Sequence, residues 1–326
     1  MNPMKTLEIT VILPTRNRAA SLEEALRGLA AQETGGQFTY EVLVVDNGST
    51  DGTRAVVERL QAGYPVPLRC VHEPRAGKSF ALNAGMREAR GAFWAFTDDD
   101  IDVSPRWLAA FWRCFIDTKA DAITGKIVPK WISARPAWLT DEALRHLGSV
   151  GCLDYGTQRL RRYERPSHNL RWVGGNLAIR KEAAQRVGGY DPLMVRAQDT
   201  EYYRRCVRHG LELVYEPQAL AYHKLGGDRM TPDYFKRWRH RTGYYHMYLI
   251  PWRKYHVVTL LPMWWYRETF YFFTGWIRKT LTRRPWPERF GDELRLREAW
   301  SLWLHRVQQW PQWLLTVLSG QTRCGS

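Results

Sequence analysis

The fold is decided by the stretch Ile9-Thr10-Val11-Ile12-Leu13-Pro14-Thr15-Arg16-Asn17, because here a short apolar run ends in polar residues. A run of this length that is rich in β-branched residues predicts a buried strand. An amphipathic stretch follows, and Ser21 and Glu24 predict a capping box at the start of a helix. A second β-rich run at 40–45 and a second helical stretch over 53–61 repeat the pattern. This alternation predicts βαβ units around a mostly parallel sheet, and therefore an α/β fold.

The polar residues that follow the predicted strands gather at one edge of that sheet. A third unit, a helix over 79–90 and a strand over 92–97, ends on three consecutive aspartates. In open α/β sheets the ligand binds beyond the carboxyl ends of the strands. The three segments delivered to this edge are Pro14-Thr15-Arg16-Asn17, Asp46-Asn47-Gly48-Ser49 and Asp98-Asp99-Asp100.

The run Asp98-Asp99-Asp100 suggests a divalent metal site. Three adjacent carboxylates repel one another unless a cation or water relieves the repulsion. Side chains two apart on an extended segment share a face, which pairs Asp98 with Asp100. A solvated acidic turn is the alternative, with about equal weight from composition alone. The position after a buried strand favours the metal site.

Several ordered motifs carry a resemblance to a known family. They are Val11-Ile12-Leu13-Pro14-Thr15-Arg16-Asn17-Arg18, Val44-Val45-Asp46-Asn47-Gly48-Ser49-Thr50-Asp51-Gly52-Thr53, Gly77-Lys78-Ser79, Asn83-Ala84-Gly85, Phe96-Thr97-Asp98-Asp99-Asp100, Gly174-Gly175-Asn176 and Gln198-Asp199-Thr200-Glu201. Together they resemble the inverting family-two glycosyltransferases of the GT-A fold, which use a nucleotide-diphospho-sugar donor. The resemblance covers about two thirds of the chain and stops at His223.

The resemblance implies a role for each matching residue of the donor site. The nucleotide pocket is lined by Pro14, Thr15 and Arg16. Asp46 accepts a hydrogen bond from the base, although a turn residue is the alternative. Lys78 lies near the base or the diphosphate, where an ammonium group is a suitable point charge. The aspartates complete the site: Asp98 contacts the ribose or the metal, Asp99 belongs to the donor site and Asp100 binds the metal.

The same resemblance implies the catalytic base and a third metal ligand. Asp199 would deprotonate the acceptor hydroxyl, although Gln198 replaces the family's Glu and a helix N-terminal carboxylate is the alternative. His223 would complete a metal set with Asp98 and Asp100, or be structural. Two carboxylates and an imidazole favour Mn²⁺ or Mg²⁺. Asn176 would contact the donor sugar or the acceptor, or close a turn.

The C-terminal third carries most of the positive charge. The chain has a formal net charge of +15, and residues 229–326 hold 17 Lys and Arg against six Asp and Glu, with 10 of the 16 tryptophans. Basic residues mixed with Trp suit anionic lipid headgroups or nucleic acid. The acidic cluster argues against nucleic acid, so a membrane surface is the expected partner. We place the domain boundary near Gly226-Gly227, giving a GT-A catalytic domain at 1–227 and a helical, membrane-associated extension at 228–326.

Two segments of this extension suggest how it meets a membrane. The stretch 256–277 is long enough to span a bilayer, but Pro262 and Arg267-Glu268 interrupt it. Apolar residues over 300–318 recur at helical spacing, which predicts an interfacial helix unless they pack onto the catalytic domain. The segment 234–238 lacks the Gln of the processive Gln-x-x-Arg-Trp motif, which indicates transfer of one sugar per encounter.

These observations define the expected cellular setting and activity. The five cysteines are scattered, and no secretory signal is recognisable at the N-terminus, so we expect a cytoplasmic protein at the inner face of the plasma membrane. The expected acceptor is a lipid-linked or cell-envelope saccharide. The competing hypothesis is a catalytically degenerate GT-A protein that binds nucleotide and docks on membranes.

Overall fold

A computed structural model describes residues 7–141, 144, 151–162, 170, 172–248 and 261–318. The chain divides into two compact units, one formed by Met1–Trp131 with Gly151–Leu225 and the other by Ile132–Val150 with Gly226–Ser326. The main boundary lies beside the predicted Gly226-Gly227. The structure differs from the predicted 1–227 domain in grouping 132–150 with the C-terminal unit.

The first unit is built on a mixed sheet whose described strands run in the order β3-β2-β1-β4-β8-β6-β9-β5, with β7 beside β9. The first four strands are parallel, and β8 is antiparallel to both of its neighbours. This arrangement confirms the predicted α/β class. The strands are β1 (Ile9–Thr15), β2 (Tyr40–Asp46), β3 (Leu68–His72), β4 (Phe93–Phe96), β5 (Ile101–Val103), β6 (Ala122–Trp131), β7 (Leu160–Arg161), β8 (Leu177–Arg180) and β9 (Leu213–Leu225).

Helices cover both faces of the sheet and bury one side each. All seven residues of β1 and of β2 are buried, as expected for strands with helices on both faces. The described helices of this unit are α1 (Ala19–Ala30), α2 (Thr53–Gln61), α3 (Lys78–Glu88), α4 (Trp107–Thr118), α5 (Lys181–Val187) and α6 (Gln198–Arg208). Two apolar clusters result, one on each side of the sheet.

Helix α1 shows where the sequence prediction was right and where it was wrong. Its buried residues, Leu22, Ala25, Leu26 and Leu29, recur at helical spacing, as the amphipathic stretch predicts. The predicted capping box is wrong, because the helix begins at Ala19, two residues before Ser21. The amide of Ala19 donates instead to Asp51 Oδ2 at 3.2 Å, so a neighbouring loop caps this helix.

The second unit is helical, as predicted for the C-terminal extension. It contains a short 3₁₀ helix (Gly227–Met230) followed by α7 (Pro232–Tyr248), α8 (Met263–Leu281) and α9 (Trp286–Leu318). The guanidinium of the buried Arg239 on α7 pairs with the partly buried Glu298 on α9 at 2.6 Å, which joins these helices through an ion pair. In the described part of the chain, no helix is both long enough and apolar enough to cross a membrane. Residues 256–260 of the predicted segment 256–277 lie outside the described residues.

Candidate active site

The predicted ligand edge forms because three strands end side by side. Thr15 at the end of β1 is in register with Asp46 at the end of β2, and Asp46 is in register with His72 of β3. Strand β4 lies on the other side of β1, so the order of connection reverses between these two strands. Such a switch opens a crevice at the carboxyl ends. Asp98 follows β4 by two residues and therefore lies at this crevice.

The loop after β1 is fastened to the loop after β2. Asn17 has a φ of +52°, a left-handed conformation that Asn tolerates better than most residues. Its side chain accepts a hydrogen bond from the Thr50 amide at 2.7 Å, and its own amide donates to Ser49 Oγ at 3.0 Å. These bonds fix the direction in which Arg18 leaves the strand.

Asn47 joins the loops after β2 and β3 to the start of α3. Its amide nitrogen donates to the carbonyls of Glu73 and Arg75 at 3.0 and 2.7 Å. Its amide oxygen accepts from the Gly77 amide at 2.8 Å. Because Gly77 immediately precedes α3, these bonds hold Lys78 at the crevice.

The three aspartates pair with two different cations. Asp98 pairs with Lys78 Nζ at 2.6 Å, at the mouth of the crevice. Asp99 is buried and accepts from Thr15 Oγ1 at 2.7 Å and from Arg18 at 3.0 Å. Asp100 accepts from the same Arg18 nitrogen at 3.1 Å and lies 3.9 Å from His223 Nε2. The protein's own cations therefore offset the repulsion among the three carboxylates.

The predicted metal ligands are only partly brought together. His223 reaches Asp100 because β9 pairs with β5, directly after the aspartates, and the Lys224 amide donates to the Asp100 carbonyl at 3.0 Å. Asp98 is engaged with Lys78 instead. Among the described residues, no three His, Cys, Asp or Glu side chains are grouped closely enough to hold a metal ion. The set Asp98, Asp100 and His223 stays a prediction.

Burial and charge shift the proton affinities of this cluster. Burial raises the pKa of Asp99, and the hydrogen bond from Thr15 and the charge of Arg18 only partly offset it. Burial lowers the pKa of Lys78, but the attraction of Asp98, with smaller contributions from Asp100 and Asp199, outweighs it and raises that pKa above its ordinary value. Lys78 therefore keeps its positive charge at neutral pH, paired with Asp98.

Gly174 and Gly175 leave room for Asp199 and Asp98 beside one turn. A Cβ at Gly175 would lie 3.0 Å from Asp98 Oδ2, and one at Gly174 would lie 3.5 Å from Asp199 Cβ. The carboxylate of Asp199, in the first turn of α6, accepts the Thr200 amide at 2.8 Å and the Gly174 amide at 3.4 Å. The glycine pair thus has Asp98 on one side and Asp199 on the other.

Asn176, by contrast, lies in the core. It is fully buried, and its side chain accepts from Trp107 Nε1 at 2.7 Å and donates to the carbonyls of Lys126 and Ala219 at 2.9 and 2.8 Å. Its amide donates to the Val173 carbonyl at 3.0 Å, which closes a turn. Its position favours the structural alternative over contact with donor or acceptor.

The remaining predicted residues occupy the crevice wall in different ways. Pro14 is buried within β1, and Arg16 is exposed. Asp46 is buried, accepts from the Ser49 amide at 2.9 Å within a turn and lies 3.5 Å from His72 Nδ1; its contact with the base stays a prediction. Its second oxygen faces the exposed His72 ring.

Three residues of the site were not among the predicted ones. Arg18 and Asn47 lie inside the quoted motifs, but their roles depend on contacts between loops that sequence spacing does not encode. Tyr190 is buried and stacked on Tyr202 at 4.2 Å. Its hydroxyl has no hydrogen-bond partner among the described residues. Burial is the main cause that raises the pKa of Tyr190 well above its ordinary value, and the neighbouring Tyr202 and Cys206 and the carboxylates of Asp199 and Asp98 add to it.

Comparisons with known proteins identify the relatives of this site. The family described as "Glycosyl transferase family 2" matches residues 10–188. The succinoglycan biosynthesis protein ExoM of Rhizobium meliloti (strain 1021) is 26% identical over 255 residues, which is 75% of each chain. The glucosyl-dolichyl phosphate glucuronosyltransferase of Haloferax volcanii is 27% identical over 242 residues, covering 67% of this chain and 70% of that one.

A solved structure matches nearly the whole chain. It is a mannosyltransferase from Pyrobaculum calidifontis in complex with GDP-Man and Mn²⁺, with a TM-score of 0.51 and 21% sequence identity. The match covers 99% of this chain and 77% of the other. At this level of identity the likeness establishes the fold, and it includes the helical C-terminal part.

Proposed function

The chain belongs to glycosyl transferase family 2 and is a glycosyltransferase, and we propose that it works as a metal-dependent, inverting enzyme. In this proposal it moves one sugar from a nucleotide-diphospho-sugar to a hydroxyl of a lipid-linked or cell-envelope saccharide. The observation that carries the proposal is the approach of Asp98 and Asp199 to the two sides of the Gly174-Gly175 turn, with Lys78 beside Asp98. One carboxylate is engaged by a cation, and the other is held by backbone amides.

Asp199 suits the role of general base. Two amides orient its carboxylate at the start of α6, and a general base must reach the proton that it removes. The acceptor oxygen would attack the anomeric carbon from the face opposite the diphosphate. As that bond forms, the bond from the anomeric carbon to the diphosphate oxygen breaks and the hydroxyl proton passes to Asp199. Attack from the opposite face inverts the anomeric configuration.

Lys78 and Arg18 suit the binding of the diphosphate. Both are cationic groups at the carboxyl edge of the sheet, and both are already paired with the aspartates. Cationic groups placed where negative charge develops on a leaving group favour the transition state over the ground state. Thr15, Arg16 and Asp46 line the same edge, where the nucleoside would lie.

The residues present also fit a divalent cation of the hard or borderline kind. Asp100 and His223 are 3.9 Å apart and offer a carboxylate oxygen and an imidazole nitrogen, and Asp98 would join them once Lys78 turned toward a phosphate. Mn²⁺ or Mg²⁺ held there would neutralise charge on the departing diphosphate. The Mn²⁺ in the mannosyltransferase complex supports this part of the proposal.

Two relatives support the acceptor class and the membrane setting. One is named for succinoglycan biosynthesis, and the other acts on a glucosyl-dolichyl phosphate. Lipid-linked acceptors lie at membranes, and the 17 basic residues of 229–326 suit an anionic surface such as the inner face of the plasma membrane. We include a cytoplasmic, peripheral location in the proposal.

The donor can be found by thermal unfolding with UDP, GDP, dTDP or CDP, each with and without Mn²⁺ or Mg²⁺. We expect one nucleotide to raise Tm, and the metal to enlarge the shift. Turnover is then measured for Asp199→Asn, which should be slower by a factor of about 10²–10⁴ with unchanged nucleotide affinity. Glu201→Gln is the matched control, because Glu201 pairs with Arg205 at 2.6 Å instead of facing the glycine turn.

The outcomes separate the enzyme from its rival. Near-normal turnover in Asp199→Asn would show that another group is the base. Nucleotide binding by the wild type without transfer to any lipid-linked or oligosaccharide acceptor would favour the catalytically degenerate protein. If neither nucleotide binding nor turnover changes when metal or chelator is added, the enzyme does not depend on a metal.

A further inference from the structure

Helix α8 (Met263–Leu281) has an apolar face that no described part of the chain covers. None of its residues is buried. Seven apolar side chains on the helix are between 36% and 79% exposed: Met263, Trp264, Phe270, Tyr271, Phe273, Ile277 and Leu281. Most soluble proteins bury side chains of this kind, and a contiguous exposed patch of them marks an interaction surface.

The exposed residues form one stripe, which we call the α8 outer face. At 100° per residue, Met263, Phe270, Ile277 and Leu281 project within about 40° of one another, and the other three flank them within about half of the helix circumference. The opposite side packs on α9: Arg295 lies over the Phe272 ring at 5.5 Å, and Lys279 pairs with Asp292 at 2.8 Å. The hairpin of α8 and α9 therefore holds the apolar stripe outward.

Arginines lie within and beside the stripe. Arg267 and Arg278 are exposed between its apolar members, and Arg283 and Arg284 are exposed directly after the helix. Glu268 is the single exposed acidic residue in the described segment 263–284. An apolar face rich in Trp, Tyr and Phe with interleaved arginines is the pattern of a helix that lies in a bilayer interface. Arginine stems can lie along the apolar region while their charged heads reach lipid phosphates.

We propose that the α8 outer face docks this protein on an anionic phospholipid bilayer, with α8 lying parallel to the membrane surface. The charge pattern selects lipid over a second copy of the chain, because two such faces in contact would oppose arginines to arginines. The interfacial helix expected from sequence at 300–318 stays a separate prediction: on α9, Trp300 is 59% exposed, whereas Leu302 and Arg306 are buried. The inference rests on the proposed function only for its purpose, which is to bring the site to a lipid-linked acceptor.

The test is flotation of the full chain with vesicles of phosphatidylcholine, with or without phosphatidylglycerol. We expect the wild type to float with the anionic vesicles and to bind the neutral ones more weakly. Phe270→Ser with Ile277→Ser should abolish binding to both. Arg267→Gln with Arg278→Gln should weaken binding to anionic vesicles about thirtyfold, since each basic residue contributes about a factor of five.

Matched controls come from α4 of the first unit. Ile116→Ser removes an apolar side chain that is 58% exposed, and Arg113→Gln removes an exposed arginine. Neither change should alter flotation. The α8 variants should keep the wild-type Tm and nucleotide affinity, which shows that they fold and that the donor site is intact.

Three results would overturn the inference. The first is a wild type that does not float, and the second is α8 variants that float like the wild type. The third is a wild type that sediments as a dimer without binding vesicles, while the α8 variants sediment as monomers. Failure of the proposed function gives a different result. In that case vesicle binding depends on the α8 outer face, but no nucleotide binds and no sugar is transferred.

Discussion

Replacing Asn176 by Asp tests whether this residue is structural or contacts a substrate. The change keeps the size and shape of the side chain but exchanges its N–H₂ donor for a second acceptor oxygen. The oxygen that accepts from Trp107 Nε1 is retained. The two carbonyls of Lys126 and Ala219, now 2.9 and 2.8 Å from the amide nitrogen, would face an oxygen. No cavity is created, so any loss of stability reports the hydrogen bonds.

The expected loss is large because Asn176 is fully buried. Each carbonyl left without its donor costs about 1–3 kcal/mol, so two cost about 4 kcal/mol. That is a large part of the 5–15 kcal/mol by which domains are typically stable. The packing around Asn176 leaves little room for the side chain to rearrange. A Cβ added at Gly125 would lie 2.1 Å from the Ala219 carbonyl oxygen and 2.4 Å from Asn176 Nδ2.

The pH dependence gives a second signature of Asn176→Asp. Burial beside two carbonyl oxygens raises the pKa of the introduced carboxyl in the folded state above its unfolded value of about 3.9. The variant is therefore least impaired below the unfolded pKa, and it loses stability as pH rises toward the folded pKa. Urea unfolding followed by tryptophan fluorescence should show a smaller deficit at mildly acidic pH than at neutral pH.

An amide-to-carboxylate change at the exposed Gln158 is the control. Gln158→Glu should alter the free energy of unfolding by less than about 0.5 kcal/mol. The reasoning fails if Asn176→Asp unfolds within about 1 kcal/mol of the wild type and instead raises KM for donor or acceptor. That outcome would restore the substrate contact predicted for Asn176 from sequence.

Three further predictions concern single side chains. Tyr190→Phe should raise the free energy of unfolding by about 1 kcal/mol in urea titrations, because it removes a buried hydroxyl that has no partner among the described residues; a loss would show that the hydroxyl is bonded. Lys78→Gln should weaken nucleoside diphosphate binding about tenfold in calorimetry and leave the matching nucleoside unchanged; equal effects on both would place Lys78 at the base. Hydrogen bonds from Arg75 lower the pKa of Glu73 to about 2, so its stabilising contribution is full above its ordinary pKa of 4.5 and is lost as pH falls from there through about 2. Glu73→Gln should therefore make the free energy of unfolding less dependent on pH in that window. An acid titration followed by circular dichroism that matches the wild type would contradict this.

The sequence predicted the sheet edge because the determinants of that edge are local. The apolar runs at 9–13 and 40–45 do not alternate strictly between apolar and polar residues, as expected of strands covered on both faces. The polar residues after each run mark the carboxyl end of the strand. Gly174-Gly175 likewise leaves room for close neighbours, and Asp199 Cβ and Asp98 Oδ2 lie beside the two glycines. Such features require only the order of residues along one strand or turn.

Pairing across loops could not be predicted in the same way. Three aspartates in a row indicate that a cation is needed, but not which one. Arg18 is 81 and 82 residues from the aspartates that it contacts, and the positive φ of Asn17 decides its direction. The burial of Asn176 also depends on distant residues, since its partners lie 43 to 69 positions away. A Gly-Gly-Asn sequence fits an exposed turn and a buried one equally well.

The two cations that pair with the three aspartates also bear on how donor and metal would bind. Lys78 is held by Asp98, and Arg18 is shared by Asp99 and Asp100. In the proposed mechanism, a diphosphate entering the crevice would compete with Asp98 for Lys78 and leave that carboxylate short of positive charge. Asp98 and Asp100 would then be the residues to hold a divalent cation, which would supply the missing charge while Lys78 paired with the phosphates. Each ligand would therefore remove a cost of binding the other, and because coupling free energies are reciprocal, a nucleotide should strengthen metal binding by the same factor as metal strengthens nucleotide binding.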